Sequence, residues 1–217
     1  MAAESVSQAI RSIKSVLPSE PDLIEMRLDY LTSLEGLEKV RKATDLPLIA
    51  TNRRRDQGGL NAGPEPRRIR TLLDACEIGF DYVDLEMTTA SVGLVAEDVR
   101  KRGSKLIVSR HDIKGTSPKE AMQQVLENEQ DMDPDLCKIV GTANSHEDNL
   151  VYLNFLTENA DVELICFGMG EKGVLSRILS PLFGGAFTYA SVNEDTRSAP
   201  GQMTITELRE IYRRLGV

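Results

Sequence analysis

The sequence predicts an α/β protein built as a (β/α)8 barrel of the TIM type, and three observations predict it. Short apolar runs with strand-forming residues alternate with stretches of helical period, the charged residues inside those runs fall on one face, and they gather toward the runs' C-terminal ends. Seven runs are readable, at residues 23–28, 48–51, 82–86, 106–109, 136–140, 163–167 and 187–191. Parallel strands need a crossover between them, and the intervening segments are long enough to supply one each time.

The first run carries Glu25-Met26-Arg27-Leu28-Asp29, where a period of two puts Glu25, Arg27 and Asp29 on one face and Met26 and Leu28 on the other. An open doubly wound sheet is covered by helices on both faces and would bury all three charges. A barrel turns one face toward an interior whose top can be polar. The second run ends with Thr51 and Arg53 on one face, the third alternates Asp84 and Glu86 with Val83 and Leu85, and the fourth leads through Ser109 to His111. Ser117-Pro118-Lys119-Glu120 then predicts a helix start, with serine as cap, proline in the first turn and glutamate closing a capping box. Lys138 sits inside the apolar fifth run, Leu136-Cys137-Lys138-Ile139-Val140. Capping patterns recur at Ser145 to Asp148 and at Thr204 to Glu207, before and after the last two runs. No linker or shift of composition divides the chain, which predicts a single barrel domain over residues 1–217.

Composition removes whole classes of function. With 217 residues, 41% hydrophobic and 28% charged, the chain has ordinary globular make-up and is not disordered, collagen-like or coiled-coil. A net charge of −8 argues against tracking nucleic-acid phosphates. No apolar stretch approaches the roughly 20 residues that span a bilayer, and residues 1–7 have neither the basic start nor the apolar centre of a secretory signal. Cys76, Cys137 and Cys166 show no metal or redox spacing, so a cytoplasmic protein with free thiols is expected.

Two side chains stand out chemically. Lys138 reads in two ways: a stem packed in the strand with its ammonium reaching water, or a desolvated amine of lowered pKa that attacks a carbonyl to form a Schiff base. His111 at a strand mouth is either a hydrogen-bonded structural group or a base that takes and returns a proton near neutrality. His146 follows Ser145 in a predicted first helical turn and reads as solvated. No cysteine pair or histidine pair at ligand spacing is present, so no metal is expected. Gly168-Met169-Gly170-Glu171-Lys172-Gly173 fits G-x-G-x-x-G, but only one run follows it, too little for a dinucleotide-binding half-domain. The glycines read better as a close-packed loop presenting backbone N–H groups and Arg177 to an anion.

In their order, Glu25-Met26-Arg27-Leu28-Asp29-Tyr30, Thr51-Asn52-Arg53 with Gly58-Gly59, Asp81 to Glu86, Ser109-Arg110-His111-Asp112, Lys138-Ile139, Ser176-Arg177-Ile178 and Ser198-Ala199-Pro200-Gly201-Gln202 resemble the type I 3-dehydroquinate dehydratases of the shikimate pathway. The resemblance runs through almost the whole chain. It implies a cofactor-free, homodimeric lyase of aromatic amino acid biosynthesis with 3-dehydroquinate as its small-molecule substrate and no nucleic-acid or membrane partner. Lys138 would form the imine and His111 would remove the proton beside it, then protonate the departing hydroxyl in a syn elimination that yields 3-dehydroshikimate. Arg177 would pair with the substrate carboxylate through two parallel hydrogen bonds. Glu25, Arg27 and Arg53 would serve the ring hydroxyls and the site's charge, and Ser198 and Gln202 would close over the substrate.

Two departures from the family pattern are visible. Gln57 stands where relatives commonly have a glutamate that orients the histidine, which predicts a lower histidine pKa. The family opens with a strand before its first helix, whereas nothing strand-like precedes residues 4–17 here. A barrel lacking its first strand is therefore expected, with a gap between the runs at 23–28 and 187–191. Two other functions share these features. A class I aldolase-type barrel would use the same lysine to cleave a carbon–carbon bond, and a non-catalytic relative would bind the small anion without turnover.

Overall fold

The computed structural model describes residues 1–197 and 199–217. Six parallel strands, β1 (Ile24–Arg27), β2 (Leu48–Thr51), β3 (Tyr82–Glu86), β4 (Lys105–Asp112), β5 (Leu136–Thr142) and β6 (Leu164–Met169), pair in chain order as one curled sheet. Helices α1 (Val6–Val16), α2 (Glu38–Arg41), α3 (Glu65–Ile78), α4 (Val92–Lys101), α5 (Lys119–Gln130), α6 (Asp148–Glu158), α7 (Val174–Leu179) and α8 (Ile205–Leu215) punctuate it. This is the α/β half-barrel expected of a TIM-type fold.

The pleat sorts side chains as the alternation requires. Met26, Ala50, Val83, Leu85, Leu106 and Val108 share a fully buried cluster with Leu72 and Ala75 of α3 and Val95, Ala96 and Val99 of α4. On the opposite face Ile49, Ile107, Leu136, Val140, Ile165 and Phe167 form a second cluster. One step of two residues above Ile49, Ile107 and Leu136 come Thr51, Ser109 and Lys138. The interior is therefore apolar at its floor and polar at the strands' C-terminal ends. Register pairs the polar residues in two sets offset by two residues: Arg27 pairs Thr51, which pairs Asp84, and Glu86 pairs Ser109, which pairs Lys138, while Asp84 itself pairs Ile107.

Helix starts follow local chemistry in part. α8 begins with a complete capping box between Thr204 and Glu207, as read from the sequence. α5 does not: it starts at Lys119 with Pro118 as the N-cap residue and no side-chain cap, because the Ser117 hydroxyl is drawn 3.2 Å to Asp112 Oδ2 at the end of β4. Ser145 and Asp148 do meet, through Ser145 Oγ to Asp148 Oδ1 at 2.9 Å, but helix α6 starts only at Asp148 with Glu147 as its N-cap residue.

The seventh run does not become a strand. Among the described residues, 187–191 make a single parallel bridge, Ser191 to Thr204, while the Ala186 N–H bonds to Leu164 O at 2.9 Å just before the run. A ladder needs a neighbour along its length, and the backbone of residues 187–190 has none among the described residues. The gap expected beside β1 is present as a cavity of about 590 Å³ with residues 21–25 on one wall and 186–192 on the other. The absence of any pairing ahead of α1 needs a small correction. Ala2 bridges Arg27 in parallel, and the Arg27 N–H donates to Met1 O at 3.0 Å, so two residues occupy the outer edge of β1.

Candidate functional site

At the C-terminal mouth of the sheet a cleft of about 90 Å³ is lined by Glu25, Arg27, Arg53, His111, Lys138, Arg177 and Gln202, together with Gln57, Phe167 and Tyr189. Strands β1, β4 and β5, the segment after β2 and helix α7 thus deliver the predicted residues to one place. Ser198 lies outside the described residues.

Lys138 is buried, and its surroundings decide between the two readings of it. Nζ lies 2.8 Å from Asp84 Oδ2, 3.0 Å from the Tyr189 hydroxyl and 3.8 Å from Glu25 Oε1. Burial alone would push the amine's pKa down, but Asp84, Tyr189 and Glu25 outweigh it and hold the pKa above the ordinary lysine value. The ammonium is desolvated yet paired, so the lowered pKa expected of a buried amine is not found in the unliganded protein. Asp84 is the counter-charge: burial would raise its carboxyl, but Arg53 at 2.6 Å, Lys138 and His111 hold it well below the usual carboxylate range. Arg53 also reaches Ser109 Oγ at 2.8 Å and Glu86 at 3.3 Å, and Ser109 donates to Asp84 at 2.6 Å. A buried chain of alternating charge therefore runs from Glu86 through Arg53 and Asp84 to Lys138.

His111 ends β4 beside this chain. Burial, then the Arg53 and Lys138 cations, lower its pKa well below the ordinary imidazole value, so it is neutral at pH 7. Gln57 is not among the causes of that lowering, and it acts differently from the expectation. Its Oε1 accepts the backbone N–H of His111 at 3.0 Å and its Nε2 donates to Thr88 Oγ1 at 2.8 Å, while the imidazole Nδ1 is buried with no hydrogen-bond partner among the described residues. Gln57 therefore positions the backbone of β4 rather than the ring.

Arg177, on α7, is 3% exposed, and its Nε has no partner among the described residues. Its guanidinium lies over the Phe167 ring at 4.4 Å. Burial lowers its pKa to about 10, Tyr189 opposing, so it stays charged near neutrality. A buried guanidinium that lines the cleft with its Nε unpaired among the described residues is equipped for an anionic ligand. Arg27 is committed instead to Asp29, at 2.9 and 2.7 Å, and lies 4.9 Å over the ring of Tyr30. Glu25 accepts from Thr51 Oγ1 at 2.7 Å.

The glycine loop after β6 is close-packed, but it does not offer its N–H groups as expected. Gly168 donates to Ser176 Oγ, Gly170 to Pro200 O and Gly173 to Gly170 O. A Cβ at Gly173 would fall 2.4 Å from Gly168 O, and one at Gly201 would fall 2.2 Å from Gly170 O. These glycines seat the 199–202 loop against β6. His146 is exposed, as read. No group of three or more His, Cys, Asp or Glu among the described residues could hold a metal ion, and no described helix is long and apolar enough to cross a membrane.

Two residues at the heart of the site were missing from the sequence-derived set. Asp84 was visible only as one inward charge among several, and Tyr189 only as an aromatic on the same alternating face as Phe187. Neither pattern says that its side chain would end on Lys138 Nζ.

The sequence pattern of the family described as Type I 3-dehydroquinase matches residues 1–217. The chain is 39% identical over 209 residues to the 3-dehydroquinate dehydratase of Thermococcus gammatolerans, covering 96% of this chain and 93% of that protein. It is 38% identical over 189 residues to the one from Dehalococcoides mccartyi, covering 87% and 84%. Among solved structures, the 3-dehydroquinate dehydratase of Geobacillus kaustophilus superposes with a TM-score of 0.90 at 28% identity, covering 99% of this chain and 88% of that one. The type I enzyme of Clostridium difficile, crystallised with covalently modified comenic acid, gives 0.89 at 27% identity, covering 99% and 89%.

Proposed function

The chain belongs to the type I 3-dehydroquinase family and is a hydro-lyase that dehydrates 3-dehydroquinate to 3-dehydroshikimate; we propose that it does so through an imine on Lys138, with His111 moving the protons. The observation that carries this assignment of roles is the convergence on one cleft of a buried lysine, a neutral buried histidine and an arginine whose Nε has no partner among the described residues. Arg177 anchors the substrate carboxylate through a bidentate pair, which sets the ring against Lys138 and His111. The Lys138 ammonium passes a proton to neutral His111 before attack, and Arg53 remains to balance the Asp84 charge as the positive charge at Nζ falls. The resulting iminium withdraws electrons from the neighbouring carbon, whose proton passes to His111. His111 returns it to the departing hydroxyl, so water leaves and imine hydrolysis frees the product and the lysine. Glu25, Arg27 and Arg53 serve the ring hydroxyls and the charge around them, and Gln202 closes over the bound ring. No cofactor enters these steps.

We propose further that residues 1–217 act as one barrel unit, in the cytoplasm, as a homodimer and without nucleic-acid partners. The net charge of −8 supports the last point, and exposed Leu150, Leu175, Leu182 and Phe183 near helices α6 and α7 offer an apolar face to a second copy. Product analysis tests the reaction. Incubation with 3-dehydroquinate should yield the conjugated enone acid. Two smaller carbonyl fragments would indicate an aldolase, and substrate bound without turnover would indicate a binding protein.

A further inference from the structure

Among the described residues Asp84 and Tyr189 accept hydrogen bonds from the Lys138 ammonium and Glu25 stands 3.8 Å away as an ion-pair partner, but only one of the three can reverse. Asp84 and Glu25 are ionised and have no proton to give. The Tyr189 hydroxyl, 3.0 Å from Nζ, accepts from an ammonium and donates once that partner has lost its hydrogen, with no change of charge. Burial, stronger than the opposing Lys138 charge, raises its pKa above the ordinary phenol value, so the hydroxyl keeps its proton near neutrality. Its position is fixed. The ring stands edge-on to Phe187 with centroids 5.4 Å apart and tilted to Phe167 at 6.1 Å, and it forms part of the partition between the cleft and the 590 Å³ cavity. The backbone carrying it is tied at Ala186 and at Ser191, on either side of the unpaired residues.

Resting on the imine reading above, we propose that Tyr189 is a catalytic residue of imine formation, its hydroxyl relaying a proton from Lys138 Nζ to the former carbonyl oxygen. Attack by the amine forms the C–N bond and moves the carbonyl π pair onto oxygen, leaving a positive nitrogen and a negative oxygen joined through one carbon. That oxygen stands two bonds from Nζ, within reach of a hydroxyl already hydrogen-bonded to Nζ. Tyr189 gives its proton to the oxygen and takes one from the nitrogen. One N–H and one O–H bond break while two O–H bonds form, so the neutral carbinolamine results and the tyrosine is regenerated. Loss of the carbinolamine hydroxyl as water, with the proton that His111 took from the Lys138 ammonium before attack, then leaves an iminium whose single N–H is satisfied by Asp84 and returns His111 to its neutral form.

Tyr189→Phe tests this, because it keeps the ring and its packing and removes only the relay. Rapid mixing with excess 3-dehydroquinate followed by borohydride gives the rate at which the Lys138 adduct appears. A fall of roughly 10- to 100-fold in that rate is expected, with a matching fall in kcat, KM for the substrate within about two-fold and an unchanged thermal midpoint. A lowered thermal midpoint with an unchanged trapping rate would mean that the hydroxyl only packs, and equal rates in both proteins would likewise overturn the relay while leaving the imine in place. Wild-type protein that turns over without an adduct would remove the imine reading and the relay with it. As a second variant, Tyr189→Leu should trap no faster than Tyr189→Phe; a faster rate would also count against the relay.

Discussion

Replacing Asp84 with asparagine isolates the charge that keeps Lys138 protonated. The side chain is fully buried between Arg53 at 2.6 Å and Lys138 at 2.8 Å, and asparagine preserves its shape and its hydrogen bond with Ser109. At 2.8 Å and an effective dielectric constant of about 20, the gross attraction to Lys138 is about 6 kcal/mol. Removing one partner of a buried pair costs about 3–5 kcal/mol once the stranded charge is included. At about 2–4 °C per kcal/mol for a chain of this size, the thermal midpoint should fall by roughly 10 °C at neutral pH. Asp84 has a depressed pKa in the folded state, so its contribution is complete above the unfolded carboxyl value of about 3.9 and is lost as pH falls toward the folded value. The gap between wild type and variant should therefore narrow as pH drops below about 4. Lys138 meanwhile loses the first of the groups that hold its pKa up, so the pH at which adduct trapping reaches its plateau moves down. Thermal melts across pH and a pH series of borohydride trapping measure both effects. A midpoint unchanged at neutral pH, or a plateau displaced upward, would refute the role given to Asp84.

Three further substitutions probe the surrounding groups. Gln57→Glu brings a negative charge beside His111, which should raise its lowered pKa and move the acid limb of the turnover profile to higher pH; superimposable limbs would exclude any coupling between the two. Arg177→Gln should raise KM by about 30-fold or more by removing the carboxylate's partner, with a smaller change in kcat, and titration calorimetry of the substrate would show the loss directly. Glu129 is fully buried, accepts the Lys138 backbone N–H at 3.0 Å and is held by burial well above the usual carboxyl pKa. Its raised folded pKa means that stability falls as pH rises above the unfolded value of about 4.3, so Glu129→Gln should melt higher than wild type near neutrality, with the difference vanishing toward pH 4. A difference that grows toward acid pH would contradict that burial.

Much of the site was legible because strands write position directly into sequence. The step of two from Ile49 to Thr51, from Ile107 to Ser109 and from Leu136 to Lys138 announces an interior that turns polar upward, and the observed register pairs Thr51 with Asp84 and Ser109 with both Glu86 and Lys138. Strand-forming composition was misleading at 187–191, because a strand also needs a partner edge and the cavity beside β1 leaves this segment without one among the described residues. Ser117 failed as a cap because Asp112, five residues back on β4, competed for its hydroxyl. The contacts of Asp84 and Tyr189 with Lys138 span 54 and 51 residues and depend on how sharply the sheet curls, a property of the assembled fold rather than of any local pattern. Gln57 was legible as a substitution but not in its effect, since its hydrogen bonds go to the His111 backbone and to Thr88.

The most direct test is intact-mass and peptide mapping after borohydride reduction of the protein mixed with 3-dehydroquinate. A stable adduct on the peptide containing Lys138, absent from Lys138→Met, is the predicted result. Enone product accumulating while Lys138 stays unmodified would contradict it and require dehydration without an imine.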